Sequence, residues 1–181
     1  MRRWRSRATL PLLLTLSLPL APAAPAQADE RGSDSGWHTV IGGMRHFTGL
    51  TCPDRIGMLS RVRVLTSAAD RIAGCVYLAT NGISVVVRSH LPGSSAAAAR
   101  AFDRRYSAAG FKRLAATGAA AAGLSFNTGT TGDRTRCETL WRLTGRRTDY
   151  TLWMAYSLPD QGDLVGPLVA DFTRQLARAA R

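Results

Sequence analysis

The sequence has little of what most catalytic and metal-binding sites use. It holds three histidines and three cysteines among 181 residues, and only 12 acidic residues. The histidines, His38, His46 and His90, are far apart, and neither a C-x-x-C nor an H-x-x-x-H spacing occurs, so a zinc site is not indicated. The G-x-S-x-G, G-x-x-x-x-G-K-[ST], H-E-x-x-H and EF-hand motifs are missing as well. We therefore expect no metal, no cofactor and no catalytic site of a familiar type.

Long apolar runs are also missing, with one exception at the N-terminus. The run from Ala8 to Leu20 follows four arginines and precedes the tripeptide A-Q-A at 26–28. This order is typical of a secretory signal peptide that is cleaved after Ala28. A transmembrane anchor needs roughly 20 apolar residues, whereas this run is shorter and is interrupted by Pro11 and Pro19. We predict a signal peptide over 1–28 and a soluble product, periplasmic or secreted, with no transmembrane segment.

Lysine is nearly absent, since Lys112 is the only one among 24 basic residues. Without the four arginines of residues 1–28 the formal net charge falls from +12 to +8. The arginines are scattered and form no run of five or six, so we attribute them to an arginine-rich genome in preference to dedicated anion binding. Binding of an anionic surface, lipopolysaccharide or nucleic acid, is one alternative function. The arginines that could carry it are Arg61, Arg63, Arg104, Arg105, Arg146 and Arg147.

Two of the three cysteines are expected to pair in an oxidising compartment. We favour a Cys52–Cys75 disulfide, which would close a loop of about 24 residues and contribute roughly 3 kcal/mol. A Cys75–Cys137 bridge is the main alternative. A reactive thiol at Cys52 would need a base nearby in space, and the sequence gives no spacing that supplies one.

Period-two alternation predicts three consecutive antiparallel strands in the first half of the chain, at 60–66, 72–79 and 83–89. Asn81-Gly82 lies between the last two and is a strong hairpin signal, because both residues tolerate positive φ. The first strand alternates valines with arginines, which would place Arg61 and Arg63 on one face.

The second half of the chain repeats strands and then a helix. A helix begins at Ser94 or Ser95 and ends at Gly110, with Ala98, Phe102, Tyr106 and Ala109 on one face. Residues 111–128 predict short strands at most, and 129–135 a loop. A wide hairpin follows at 137–144 and 149–157. The C-terminal segment predicts a second helix, with an apolar stripe of Val165, Leu168, Val169, Phe172 and Leu176.

This order predicts an α+β fold in which an antiparallel sheet of meander and hairpin strands is covered by two amphipathic helices. We place one domain over 51–181, after a flexible segment over 29–50.

The run CPDRIGMLSRVRV, followed by AGCVYLAT and ISVVV, resembles small secreted proteins of alphaproteobacteria. The resemblance covers residues 46–90 and implies an exported protein, with no assigned activity. The order of strands and helices also resembles the α/β/α sandwich of the PsbP type, which implies a fold and not a function.

The sequence therefore predicts a secreted or periplasmic non-catalytic domain that binds a protein or a component of the cell envelope, with no specific nucleic-acid partner. Two alternatives stay open. One is the anionic-surface binder, and the other is an enzyme of unrecognised type that uses His46, His90 or Cys52.

Overall fold

A computed structural model describes residues 36–67, 71–145 and 147–179, so the predicted signal peptide lies outside the described residues. The fold is α+β with antiparallel strands, as predicted, but the strands form two sheets instead of one. The elements in chain order are β1 Trp37–Val40, β2 Gly43–His46, β3 Thr51–Pro53, β4 Arg55–Ile56, β5 Leu59–Leu65, β6 Arg71–Leu78, β7 Ser84–His90, α1 Ser95–Ala108, β8 Lys112–Arg113, β9 Leu124–Thr131, β10 Arg134–Leu143, β11 Asp149–Leu158 and α2 Gly162–Ala179.

The small sheet is formed by β1, β2 and β3, in that order. It falls largely within the segment 29–50, where the sequence predicted flexible coil. Trp37 pairs with His46 across β1 and β2, and both side chains are buried. Strand β1 buries one of its four residues and β2 buries two. The alternation that marks a strand in the sequence is therefore not visible here.

The large sheet has eight strands, in the order β4-β5-β6-β7-β11-β10-β9-β8. The three predicted strands of the first half appear as β5, β6 and β7, and the wide hairpin appears as β10 and β11. Strand β7 pairs with β11, so that Val86 lies opposite Trp153. This pairing joins the two halves of the chain into one sheet.

Strand β5 contains an irregularity between Arg61 and Arg63. Arg61 lies opposite Tyr77, whereas Arg63 lies opposite the adjacent Val76. Directly opposed residues of an antiparallel pair point to the same face, so the two arginines point to opposite faces. The prediction that they share a face is wrong, because a bulge at Val62 breaks the alternation.

Helix α1 begins and ends close to the predicted residues, and Gly110 after it has the positive φ of 83° that the sequence suggested. Phe102 and Tyr106 are buried as predicted, with Phe126 and Leu140 of the sheet in the same cluster. Neither candidate serine caps the helix through its side chain. The Ser95 hydroxyl instead donates a hydrogen bond of 2.7 Å to Asp149 at the start of β11.

Helix α2 buries most of its predicted stripe, namely Val165, Leu168, Phe172 and Leu176. The Phe172 ring meets Tyr77 of β6 edge to face, with centroids 5.4 Å apart. Burial raises the pKa of Tyr77 strongly.

The stretch from 111 to 135 is more regular than predicted. Residues 118–122 form a 3₁₀ helix, and Trp141 Nε1 donates a 2.8 Å hydrogen bond to the Ala119 carbonyl at this helix. The predicted loop over 129–135 is instead the end of a long hairpin, because β9 and β10 stay paired as far as Thr131 and Arg134.

Cys52 and Cys75 form the disulfide, with their Cα atoms 6.2 Å apart, within the usual range. It joins the small sheet to β6. Cys137 is a buried free cysteine, and burial raises the pKa of its thiol. The Cys75–Cys137 alternative is therefore wrong.

Candidate functional site

One row of residues crosses five strands of the large sheet on the face that α1 contacts. The pairing registers place Arg63, Val76, Val86, Trp153 and Leu140 opposite one another in succession, on β5, β6, β7, β11 and β10. Because opposed residues share a face, the row forms a strip with an arginine at one end and a tryptophan and a leucine at the other.

Helix α1 covers only part of this strip. Its buried residues Phe102 and Tyr106 cluster with Phe126 and Leu140, whereas Val76 and Val86 remain half-buried. A groove of about 550 Å³ lies between the helix and the uncovered strands, with Ala98, Ala101 and Arg105 of α1 among the residues on its helix side. Ligand pockets have volumes of about 300–1,000 Å³, so the groove has the size of a small-molecule site.

Three arginines from three different elements line the groove, and no aspartate or glutamate is among its lining residues. Arg63 comes from β5, Arg88 from β7 and Arg105 from α1. Within the described part of the chain, Arg63 and Arg105 are exposed and take part in no ion pair. The groove therefore combines an apolar floor with a positively charged rim.

Arg88 lies flat across the neighbouring strand. Its Nη1 donates a 3.1 Å hydrogen bond to the Thr66 carbonyl. A Cβ atom at Gly74 would approach Arg88 Cδ to 2.6 Å, so a glycine at this position lets the aliphatic part of the arginine pass over β6. Arg88 is thus held in place by contacts within the sheet.

The end of the groove at Trp153, called the inner end below, is fixed by hydrogen bonds among three side chains. Trp153 Nε1 donates to Glu138 Oε2 at 3.1 Å and to the Tyr106 hydroxyl at 3.2 Å, and that hydroxyl donates to Glu138. Burial, followed by the hydrogen bond to Glu138, raises the pKa of Tyr106 to about 12. The indole of Trp153 is therefore a pre-positioned wall whose polar edge is already occupied.

The start of α1 is anchored to the first residue of β11. Ser95 donates from its hydroxyl and from its backbone N–H to Asp149 Oδ2, at 2.7 and 3.4 Å. Burial opposes ionisation of Asp149, but the hydrogen bonds from Ser95 and Gly93 and the charge of Arg142 outweigh it, and the pKa of Asp149 is lowered. Next to this anchor, His90 Nε2 and Thr151 Oγ1 share a buried hydrogen bond of 2.8 Å.

The structure brings together only two of the six arginines that the sequence singled out, Arg63 and Arg105. Arg61 points to the other face and pairs with Asp54. Arg104 and Arg147 are exposed and are not lining residues of the groove, and Arg146 lies outside the described residues. Sequence reasoning missed Arg88, although its position two residues after Val86 in β7 is a signal that both side chains face the same way.

The candidate catalytic residues do not form one site. Cys52 is bonded to Cys75 and is not a thiol nucleophile. His46 is buried in the small sheet between the rings of Trp37 and Phe47, and its Nδ1 is 2.8 Å from the Thr48 hydroxyl. Among these three residues His90 alone lines the groove.

Among residues 36–67, 71–145 and 147–179, no group of three or more histidine, cysteine, aspartate or glutamate residues is placed to hold a metal ion. None of the helices there has both the length and the apolar character needed to cross a bilayer. Finally, no protein-family model, no curated protein and no solved structure matches this chain.

Proposed function

We propose that this protein is an exported, non-catalytic domain that binds a component of the cell envelope in the groove beside α1. The observation that carries the proposal is the make-up of the groove: valines and a fixed tryptophan on the floor, three arginines on the rim, and no acidic lining residue. An apolar cleft with a few converging polar groups is the usual form of a small-molecule site.

Export is supported by two independent features. The N-terminal 28 residues have the composition of a secretory signal peptide. The Cys52–Cys75 disulfide belongs to the chemistry of oxidising compartments. We place the protein in the periplasm or outside the cell.

The arrangement of the helices supports the groove as the binding site, because the strip beside α1 is a part of the large sheet that neither helix covers. Buried residues of α2 share a cluster with Tyr77 and Met154, whereas α1 clusters with Leu140, and Leu140 lies opposite Trp153. Met154 and Trp153 are adjacent in β11 and so point to opposite faces. We therefore take the two helices to cover opposite faces of the large sheet, with the strip beside α1 left open.

Binding of an extended polyanion remains a second candidate, because the chain is strongly basic. Nucleic acids and lipopolysaccharide surfaces are bound by basic side chains that follow one continuous face. The arginines here point in several directions, and Arg61 is already paired with Asp54. The convergence of Arg63, Arg88 and Arg105 on one groove favours a smaller ligand.

The test is to fill the groove. Val86→Trp places a large side chain on the floor of the groove, and Ile41→Trp adds the same side chain at an exposed turn between β1 and β2. Each purified variant is incubated with lipid and metabolite extract of the envelope, repurified, and analysed for retained small molecules by mass spectrometry. We expect wild type and Ile41→Trp to retain the same compound and Val86→Trp to lose it, with circular dichroism unchanged in all three. Equal retention by Val86→Trp would contradict the groove as the site.

A further inference from the structure

Resting on the proposed function, we infer that the ligand of the groove is a single-chain amphiphile with one carboxylate, such as a free fatty acid of medium length. Its carboxylate lies between Arg63 and Arg105, and its chain lies across β6 and β7 against Val76, Val86 and Trp153. Each part of this assignment comes from a separate property of the groove.

The length of the apolar body follows from the sheet. Neighbouring strands lie about 4.8 Å apart, so the row from Arg63 on β5 to Trp153 on β11 spans three strand spacings, or about 14 Å. The two residues in between are valines. A straight or flat apolar group that crosses the strands would contact both valines and end against the indole, and a medium alkyl chain has this length.

The charge of the ligand follows from the rim. Arg63 and Arg105 are exposed and form no ion pair among the described residues. Guanidinium groups bind carboxylates through paired, charge-assisted hydrogen bonds. Arg88 is held against β6 and donates to Thr66, so we assign the carboxylate to the two exposed arginines, Arg63 and Arg105.

The direction of the ligand follows from Glu138. This acid accepts hydrogen bonds from Trp153 and Tyr106 at the inner end of the groove, so an anion there would be repelled. The ligand is therefore oriented with its anionic end toward Arg63, the residue of the row farthest from Trp153, and its apolar end at Trp153. The volume of about 550 Å³ is sufficient for a single chain.

The experiment compares four probes by isothermal titration calorimetry, with the indole N–H resonance of Trp153 as a local readout. Decanoate has both a chain and a carboxylate, acetate lacks the chain, and decyl maltoside lacks the charge. Decyl phosphate tests whether the anion is a carboxylate. We expect decanoate to bind and to move the Trp153 resonance, and the other three to bind at least tenfold more weakly. Decyl phosphate binding more tightly than decanoate would overturn the carboxylate, and decyl maltoside binding equally well would overturn the requirement for charge.

Charge-removing variants locate the carboxylate. Arg63→Gln and Arg105→Gln should each weaken decanoate binding about tenfold, since a charged hydrogen bond contributes about 1.5 kcal/mol or more. Arg104→Gln is the matched control, because it removes the same charge from the adjacent exposed position of α1. Equal weakening by Arg104→Gln would mean that decanoate responds to net charge and is not held by the two arginines.

The outcomes separate this inference from the proposed function. If decanoate does not bind but Val86→Trp still loses the envelope compound, the groove is the site and only the ligand class is wrong. If Val86→Trp affects neither decanoate binding nor retention of the compound, both proposals fall.

Discussion

Two halves of the same sheet face are built from different residues. In the covered half, strands β9–β11 carry Phe126 and Leu140, which are 0% and 7% exposed beneath α1. In the open half, strands β5–β7 carry Val76 and Val86, which stay half-buried, and the exposed Arg63. Large rings thus lie where the helix excludes water, and small branched side chains lie where it does not.

This difference indicates a division of roles. Burial of large apolar side chains is the main source of stability, so the covered half holds the fold together. A short strip of valines bordered by arginines adds little to stability, but it leaves an apolar surface that a ligand can cover. The predictions below test this division, from the largest expected effect to the smallest.

Removing a ring from the covered half should be the most damaging change. Phe126 lies 5.7 and 5.3 Å, between ring centroids, from Phe102 and Tyr106. Phe126→Ala should lower the free energy of unfolding by about 3–5 kcal/mol, because it leaves a cavity beside the rings of Phe102 and Tyr106. Val86→Ala in the open half should cost about 1 kcal/mol or less, since its side chain is smaller and only partly buried. Urea denaturation measures both, and equal losses would contradict the division.

Removing the disulfide should destabilise the open half, although the disulfide lies on the other face of the sheet. Cys75 is adjacent in β6 to Val76 of the strip, and its bond to Cys52 ties the small sheet to that strand. The double variant Cys52→Ala/Cys75→Ala should lose about 3 kcal/mol. Hydrogen exchange should accelerate more in β5–β7 than in β9–β11. As a control, dithiothreitol should lower the stability of the wild type and leave that of the double variant unchanged. If hydrogen exchange accelerated equally in β5–β7 and β9–β11, the disulfide would not act on the open half in particular.

The local elements of both halves were predictable from the sequence, because their signals are local. Alternation of apolar and polar residues predicted β5, β6, β7, β10 and β11, and apolar residues spaced three and four apart predicted both helices. The compartment predicted from residues 1–28 supplied the reason to expect a disulfide. The small sheet escaped prediction, because its strands bury too few residues to show alternation.

The groove itself was not predictable, because it depends on pairing between distant strands. Strand β7 pairs with β11, whose partner residues lie 59 to 71 positions farther along the chain, and local periodicity holds no information about such a partner. The bulge in β5 also turned Arg63 toward the groove and Arg61 away from it. The composition could show that arginines were abundant, but only the registers show which of them meet.

Weakening the hydrogen bonds that anchor the start of α1 should lower the free energy of unfolding by an intermediate amount. At pH 7, Asp149→Asn should cost about 1–2 kcal/mol, because it removes the charge from the hydrogen bonds that Ser95 donates. The pKa of Asp149 is lowered in the folded protein, so its carboxylate stabilises the fold above its unfolded pKa of about 4. That stabilisation is lost as the pH falls through the lower folded value.

The difference between wild type and Asp149→Asn should therefore narrow below about pH 4. Unfolding by urea at a series of pH values measures it. Asp133→Asn, in the exposed turn between β9 and β10, should change the free energy of unfolding by less than about 0.5 kcal/mol at pH 7. A difference between wild type and Asp149→Asn that stays constant down to pH 2 would contradict the role of the ionised carboxylate.

The smallest effects are expected from single arginines, and they still distinguish the two halves. Arg113 of β8, next to the covered half, pairs with Asp103 at 2.7 Å and lies 5.6 Å from the centroid of the Phe126 ring. Arg113→Gln should cost up to about 1 kcal/mol. Arg63→Gln in the open half should change the free energy of unfolding by less than about 0.5 kcal/mol, because Arg63 is exposed and no ion pair involves it within the described residues. A loss above 1 kcal/mol at Arg63 would mean that the rim of the groove holds the sheet together, and its arginines would then be retained for folding instead of for binding an anion.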